Sequence, residues 1–141
     1  MNRTEILYPL FALAALTFVV LTIIPIVRIG AARTGKARPK DFALGESDTL
    51  PDFVRLPSRN YMTLLELPQL FYVVCILFYL APMNEPVSVP LAWAFVALRA
   101  AHSLVHITIN HILSRLGLFA LGNFVLIALW VIAARAYGLW S

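Results

Sequence analysis

Arg99, His102, Ser103, His106 and Asn110 follow one another at offsets of 3, 4, 7 and 11 from the first. Those are the spacings of a single helix face. Thr108 falls off that face. A second set, Arg59, Thr63 and Glu66, is spaced by 4 and 3, and Gln69 extends it by another turn. Both sets interrupt apolar stretches. A charged side chain in hydrocarbon costs at least about 2.5–3.5 kcal/mol on insertion scales, so each must face a partner, a cavity or an interface. Glu66 and Arg99 are the obvious opposite charges. By helical rise Glu66 lies about 10 Å in from Arg59, and Arg99 about 24 Å from Arg115. That difference puts Arg99 nearer the far leaflet and makes His106 or Asn110 the closer partner for Glu66. Two readings of the stripes stay open. They are interhelical hydrogen bonds that hold a bundle together, or they line a polar pocket beside a basic loop. His102 and His106, one turn apart, could present two imidazoles to a metal with Glu66 as a third ligand. Nothing else in the sequence supports that, and no metal site is expected. The single cysteine, Cys75, lies in an apolar run and reads as a buried, inert thiol.

The elements that must position these residues are membrane helices. Of 141 residues, 61% are hydrophobic and only 13% charged, against roughly 45–50% and 25% in a soluble domain. That balance rules out a soluble monomer, and it rules out disorder. Residues 6–27 carry no charge and are long enough to cross a bilayer. They are also too long for the apolar part of a signal peptide, so an uncleaved helix is expected. Further spans are expected over 61–81, 87–112 and 116–134, with Pro25 near the end of the first. Pro82-Met83-Asn84-Glu85-Pro86 breaks the chain between spans two and three. Trp93, Trp130, Tyr137 and Trp140 read as packing or interface aromatics.

Residues 28–59 differ: they hold seven of the eleven Lys and Arg residues, and Pro39, Pro51 and Pro57 argue against continuous helix. The formal charge of +4 therefore has its use at a membrane surface, in contact with anionic lipid heads, and no nucleic-acid partner is expected. The positive-inside rule places this loop and Arg115 in the cytoplasm and both termini outside. The lack of targeting features, together with a bacterial-type pattern in span three, makes a bacterial inner membrane the expected location.

With this pattern, Ser58-Arg59-Asn60-Tyr61-Met62-Thr63-Leu64-Leu65-Glu66-Leu67-Pro68 resembles the MAPEG family, membrane-associated proteins in eicosanoid and glutathione metabolism. Its members carry Arg, Asn four residues on, Glu three further, and Pro soon after. Arg59 and Glu66 match, and Thr63 takes the Asn position. Arg99-Ala100-Ala101-His102-Ser103-Leu104-Val105-His106 is similar to the bacterial branch. Glutathione-using members have Tyr where His102 and His106 stand. The resemblance covers essentially the whole chain. It implies an all-α, four-helix membrane bundle in a homotrimer, with glutathione between neighbouring subunits near the cytoplasmic face. It further implies that Arg59 binds a glutathione carboxylate and Glu66 its amino group. Arg28 and Arg33 would add anion contacts, and Thr63, His102 and His106 would line the site. In the family a catalytic Arg closes the third helix. Arg115 is its nearest equivalent and would stabilise the thiolate that attacks a lipophilic electrophile or reduces a hydroperoxide. The alternative expectation is a non-catalytic lipid-binding or accessory subunit of a membrane complex.

Overall fold

A computed structural model describes residues 3–43, 45–81 and 85–139. Pro82, Met83 and Asn84 of the expected breaker, and Trp140, lie outside the described residues. Five helices account for most of the chain: α1 (Leu7–Arg33), α2 (Asp52–Leu65), α3 (Pro68–Leu80), α4 (Ser88–Ile107) and α5 (Ile112–Ala136). Short 3-10 turns at Arg3–Ile6 and Pro39–Phe42 precede α1 and sit in the basic loop. α2 and α3 together form one span of 29 residues; with α1, α4 and α5 there are, among the described residues, four helical segments long and apolar enough to cross a membrane. It is an integral membrane protein.

Helices α1, α2 and α5 reach beyond the expected spans, whereas α4 stops at Ile107, short of the expected 112. α1 continues past Pro25 to Arg33, so Arg28 and Arg33 are helical. Gly35, at φ +71°, then closes it: its N–H donates to Ala32 O at 3.1 Å, and the Lys36 N–H to Ala31 O at 2.9 Å. This is the left-handed glycine stop that satisfies last-turn carbonyls. α2 starts directly after Pro51 and accommodates Pro57 inside it. The Pro57 ring is fully buried, and its packing offsets the lost backbone bond. The basic segment is thus helical at both ends. Charge ends the hydrocarbon-facing part of a helix, not the helix.

One core joins all the spans, with Leu13 from α1, Leu64 from α2, Phe71 and Val74 from α3, Phe95 from α4, and Leu129 from α5. Phe71 and Phe95 stack at 4.6 Å between ring centroids with planes 17° apart. A smaller cluster of Ala31, Ala37, Leu50 and Val54 seats the loop against α1 and α2. α1 is apolar all round and turns Phe11, Phe18 and Ile26 outward. In a bilayer those faces meet acyl chains. At the end away from the basic loop, the Tyr137 hydroxyl donates to Leu77 O at 2.8 Å and ties α5 to α3. Cys75 is fully buried.

Candidate functional site

The second span is broken at Glu66. Pro68 has no N–H to offer Leu64 O, and its ring crowds that carbonyl. The chain therefore leaves α2 at Glu66, with φ −83° and ψ −105°, and restarts as α3 with Pro68 in its first turn. Short turn bonds, from Gln69 N to Glu66 O at 3.1 Å and from Leu70 N to Leu67 O at 3.0 Å, carry it across. Val54, Pro57, Asn60 and Leu64 form the buried side of α2. Arg59 and Glu66 are exposed on the opposite side, with Thr63 half-buried between them. Among the described residues neither the Arg59 nor the Glu66 side chain makes a hydrogen bond or ion pair within the chain. The Thr63 hydroxyl is spent on its own helix, donating to Asn60 O at 2.7 Å.

α4 turns its polar stripe inward. Arg99, His102, Ser103 and His106 are all buried, at 2–5% exposure. Arg99 lies between two phenyl rings, with its guanidinium carbon 5.1 Å from the centroids of both Phe95 and Phe119. Its Nη2 donates to Asn123 Oδ1 at 3.1 Å. Glu66 acts on Arg99 electrostatically without touching it. The sequence argument that separated their depths fails for a simple reason. It measured Arg99 from Arg115, but α4 ends at Ile107 and Arg115 belongs to the next helix. Counted from Ile107, Arg99 is about 12 Å deep, close to the roughly 10 Å between Arg59 and Glu66.

The turn from α4 to α5 is built on two residues. Asn110 takes φ +50°, a left-handed conformation that Asn tolerates better than most residues, and its N–H donates to Val105 O at 2.7 Å. His111 caps α5, its Nδ1 accepting from Ser114 N at 3.3 Å. Arg115 follows in the first turn of α5, so the expected helix-closing arginine opens the fourth span instead. Its Nη1 donates to Asn110 Oδ1. Its carbonyl accepts a bond from His102 Nδ1 at 3.2 Å. The carbonyl can only accept, so His102 carries its proton on Nδ1.

Of the candidate residues, His102 and His106 are in ring contact and His102 is bonded to the Arg115 carbonyl, while no hydrogen bond or ion pair among the described residues joins Arg59 or Glu66 to them. Arg28 is committed elsewhere: its Nη2 lies 2.9 Å from Glu46 Oε1 and 3.2 Å from Ser58 Oγ, and the guanidinium sits 4.8 Å over Phe42. Arg33 is exposed at the end of α1. His102 and His106 face each other edge to face, 5.7 Å between ring centroids. The sequence reading missed Asn60, Asn110 as a turn residue, and Asn123. Asn60 is fully buried, and among the described residues neither atom of its amide has a partner; the same holds for Ser103 Oγ, His102 Nε2 and both ring nitrogens of His106. Buried polar atoms are nearly always paired, so this density of uncommitted groups marks a polar site. A signal for Asn60 was present, since it falls in register with Val54, Pro57 and Leu64. Asn123 was visible as the lone amide of a charge-free span.

Glutathione presents two carboxylates, an ammonium and a thiol. The side chains of this region fit that charge pattern, with Arg59 and Glu66 uncommitted within the chain and Arg115 at the neighbouring turn. The sequence model of the MAPEG family matches residues 6–135, nearly the whole chain. No curated protein and no solved structure matches it.

Proposed function

The chain belongs to the MAPEG family, and from that premise we propose that it is a glutathione-dependent transferase or peroxidase acting on lipophilic electrophiles or hydroperoxides. The observation that carries this reading is the outward, uncommitted pair Arg59 and Glu66. Glu66 lies within a span, where lipid would not solvate its charge. A second copy of the chain covering this face would provide both shelter and the rest of a site, in line with a homotrimer. The basic loop faces the cytoplasm by the positive-inside rule, and the termini the other side. A bacterial inner membrane suits that orientation.

In this reading Arg59 holds a glutathione carboxylate and Glu66 the ammonium, both by charge-assisted hydrogen bonds. Thr63 Oγ1 has already given its proton to Asn60 O, so it can only accept from a ligand. Arg33 adds positive potential at the rim; Arg28 holds the loop through Glu46. His102 and His106 form the inner wall. Glutathione supplies the nucleophilic sulfur, and Arg115 favours its ionised form, because a nearby cation lowers a thiol pKa. Apolar faces of neighbouring helices give a lipophilic substrate access from the bilayer.

Isothermal titration of the detergent-solubilised protein with glutathione tests the proposal. Heat of binding, with an affinity weakened about 10- to 100-fold in Arg59→Ala, is expected. No heat, with no Arg59-dependent protection against unfolding, would leave the lipid-binding or accessory-subunit reading in its place.

A further inference from the structure

We propose that Asn110 is a positioning residue: it clamps the Arg115 guanidinium in the orientation in which it faces the site. This inference deepens the functional reading above and rests on it. Three observations converge on the clamp. Asn110 Oδ1 accepts from Arg115 Nη1, five residues on and across the helix boundary. The backbone of Asn110 is itself fixed, with φ +50° and its N–H bonded to Val105 O. The other end of Arg115 is held too, its carbonyl by His102 Nδ1 and its N–H by His111 O at 3.0 Å. A long flexible cation is thereby held at both its backbone and its tip.

The residue type matters. Glycine would accept the left-handed backbone but offers no side-chain oxygen. Aspartate would accept the hydrogen bond but cancel the positive charge. Asparagine alone of the three holds the guanidinium while leaving its charge available to a ligand. A group that acts on developing negative charge works best when it needs no reorganisation at the moment of reaction.

The experiment uses the full-length protein in detergent and follows the ultraviolet absorbance of the glutathione thiolate across a pH titration, alongside steady-state kinetics. Asn110→Gly is expected to raise the midpoint of thiol ionisation by about one unit and to lower kcat about tenfold. KM for glutathione should stay within about twofold, because Arg59 and Glu66 hold the peptide. Unchanged midpoint and kcat would overturn the clamp while leaving the glutathione reading intact. Should Asn110→Gly fail to fold, Asn110→Asp takes its place: the bond is retained, so a normal melting temperature with a raised midpoint is expected, and an unshifted midpoint overturns the inference. Should the wild type bind no glutathione, the functional reading fails and the clamp is judged by a double-mutant cycle. Asn110→Gly and Arg115→Ala should then shift the melting temperature non-additively; simple additivity would refute the contact.

Discussion

Arg99 and Asn123 meet across the seam between α4 and α5, guanidinium Nη2 to amide Oδ1 at 3.1 Å, at the edge of the apolar core. A methyl group at Gly122, next in the chain, would stand 3.8 Å from Arg99 Nε, ordinary contact distance, so the backbone of α5 passes close beside the guanidinium without being forced to glycine. The amide is the one hydrogen-bond acceptor Arg99 has among the described residues; Nε and Nη1 have none, and the Phe95 and Phe119 rings supply the rest of its shell. Asn123→Leu is therefore expected to cost about 1.5–3 kcal/mol, because it removes the hydrogen bond of a buried cation. Arg99→Met combined with Asn123→Leu should recover most of that loss, since an apolar pair leaves nothing unsatisfied. Thermal unfolding of the four proteins in detergent measures the cycle; equal loss in the single and double variants would contradict it.

In the proposed site Arg59 and Glu66 hold the ligand, and both are exposed and lie outside the core of the single chain. Arg59→Ala and Glu66→Gln should each weaken glutathione binding by about 10- to 100-fold, the range of a lost charge-assisted hydrogen bond of roughly 1.5–3 kcal/mol. Titration calorimetry gives the affinities. Far-ultraviolet circular dichroism should show unchanged helix content in both variants.

Pro68→Ala restores the N–H that the break lacks and allows α2 and α3 to fuse. Fusion would rotate Glu66 away from its present direction. The expected result is a roughly tenfold loss of glutathione affinity, as misplacement of a binding group commonly gives, with a melting temperature equal to or above that of the wild type. Full affinity in this variant would show that the break does not set the direction of Glu66.

The Arg28–Glu46 ion pair is partly exposed, with 37% and 18% of the side chains accessible. Pairs of this kind are worth about 1 kcal/mol or less and weaken with salt. Glu46→Gln should leave the melting temperature nearly unchanged. Its effect should appear as faster backbone hydrogen exchange over residues 38–50, and the difference from wild type should shrink at high salt.

The polar stripe of α4 was legible because a buried membrane helix is apolar wherever it is not needed, so Arg99, His102, Ser103 and His106 stood out against it. The second span showed Arg59 and Glu66 by the same logic. What the sequence hid was the end of α4. Thr108 to Ile112 contains neither Gly nor Pro, and the stop is made by Asn110 in a left-handed conformation and by the His111 cap. Both are choices of backbone geometry that hydropathy does not register. From that one hidden turn followed the wrong depth for Arg99 and the expected place of Arg115 at the end of the third span. The match of Thr63 to an amide position likewise drew attention from Asn60, whose neighbours in register are all buried.

The interruption at Pro68 divides labour within a single crossing. The half before it rests on α1 and α4 and carries the ionic side chains; the half after it rests chiefly on α5 and α1 and is wholly apolar in its inner face. A rigid rod would have forced both halves to share one rotational setting, so any adjustment that suited a ligand would have disturbed the grip on the oily interior. A jointed one lets the mouth be retuned, residue by residue, while the foundation beneath it stays where it is.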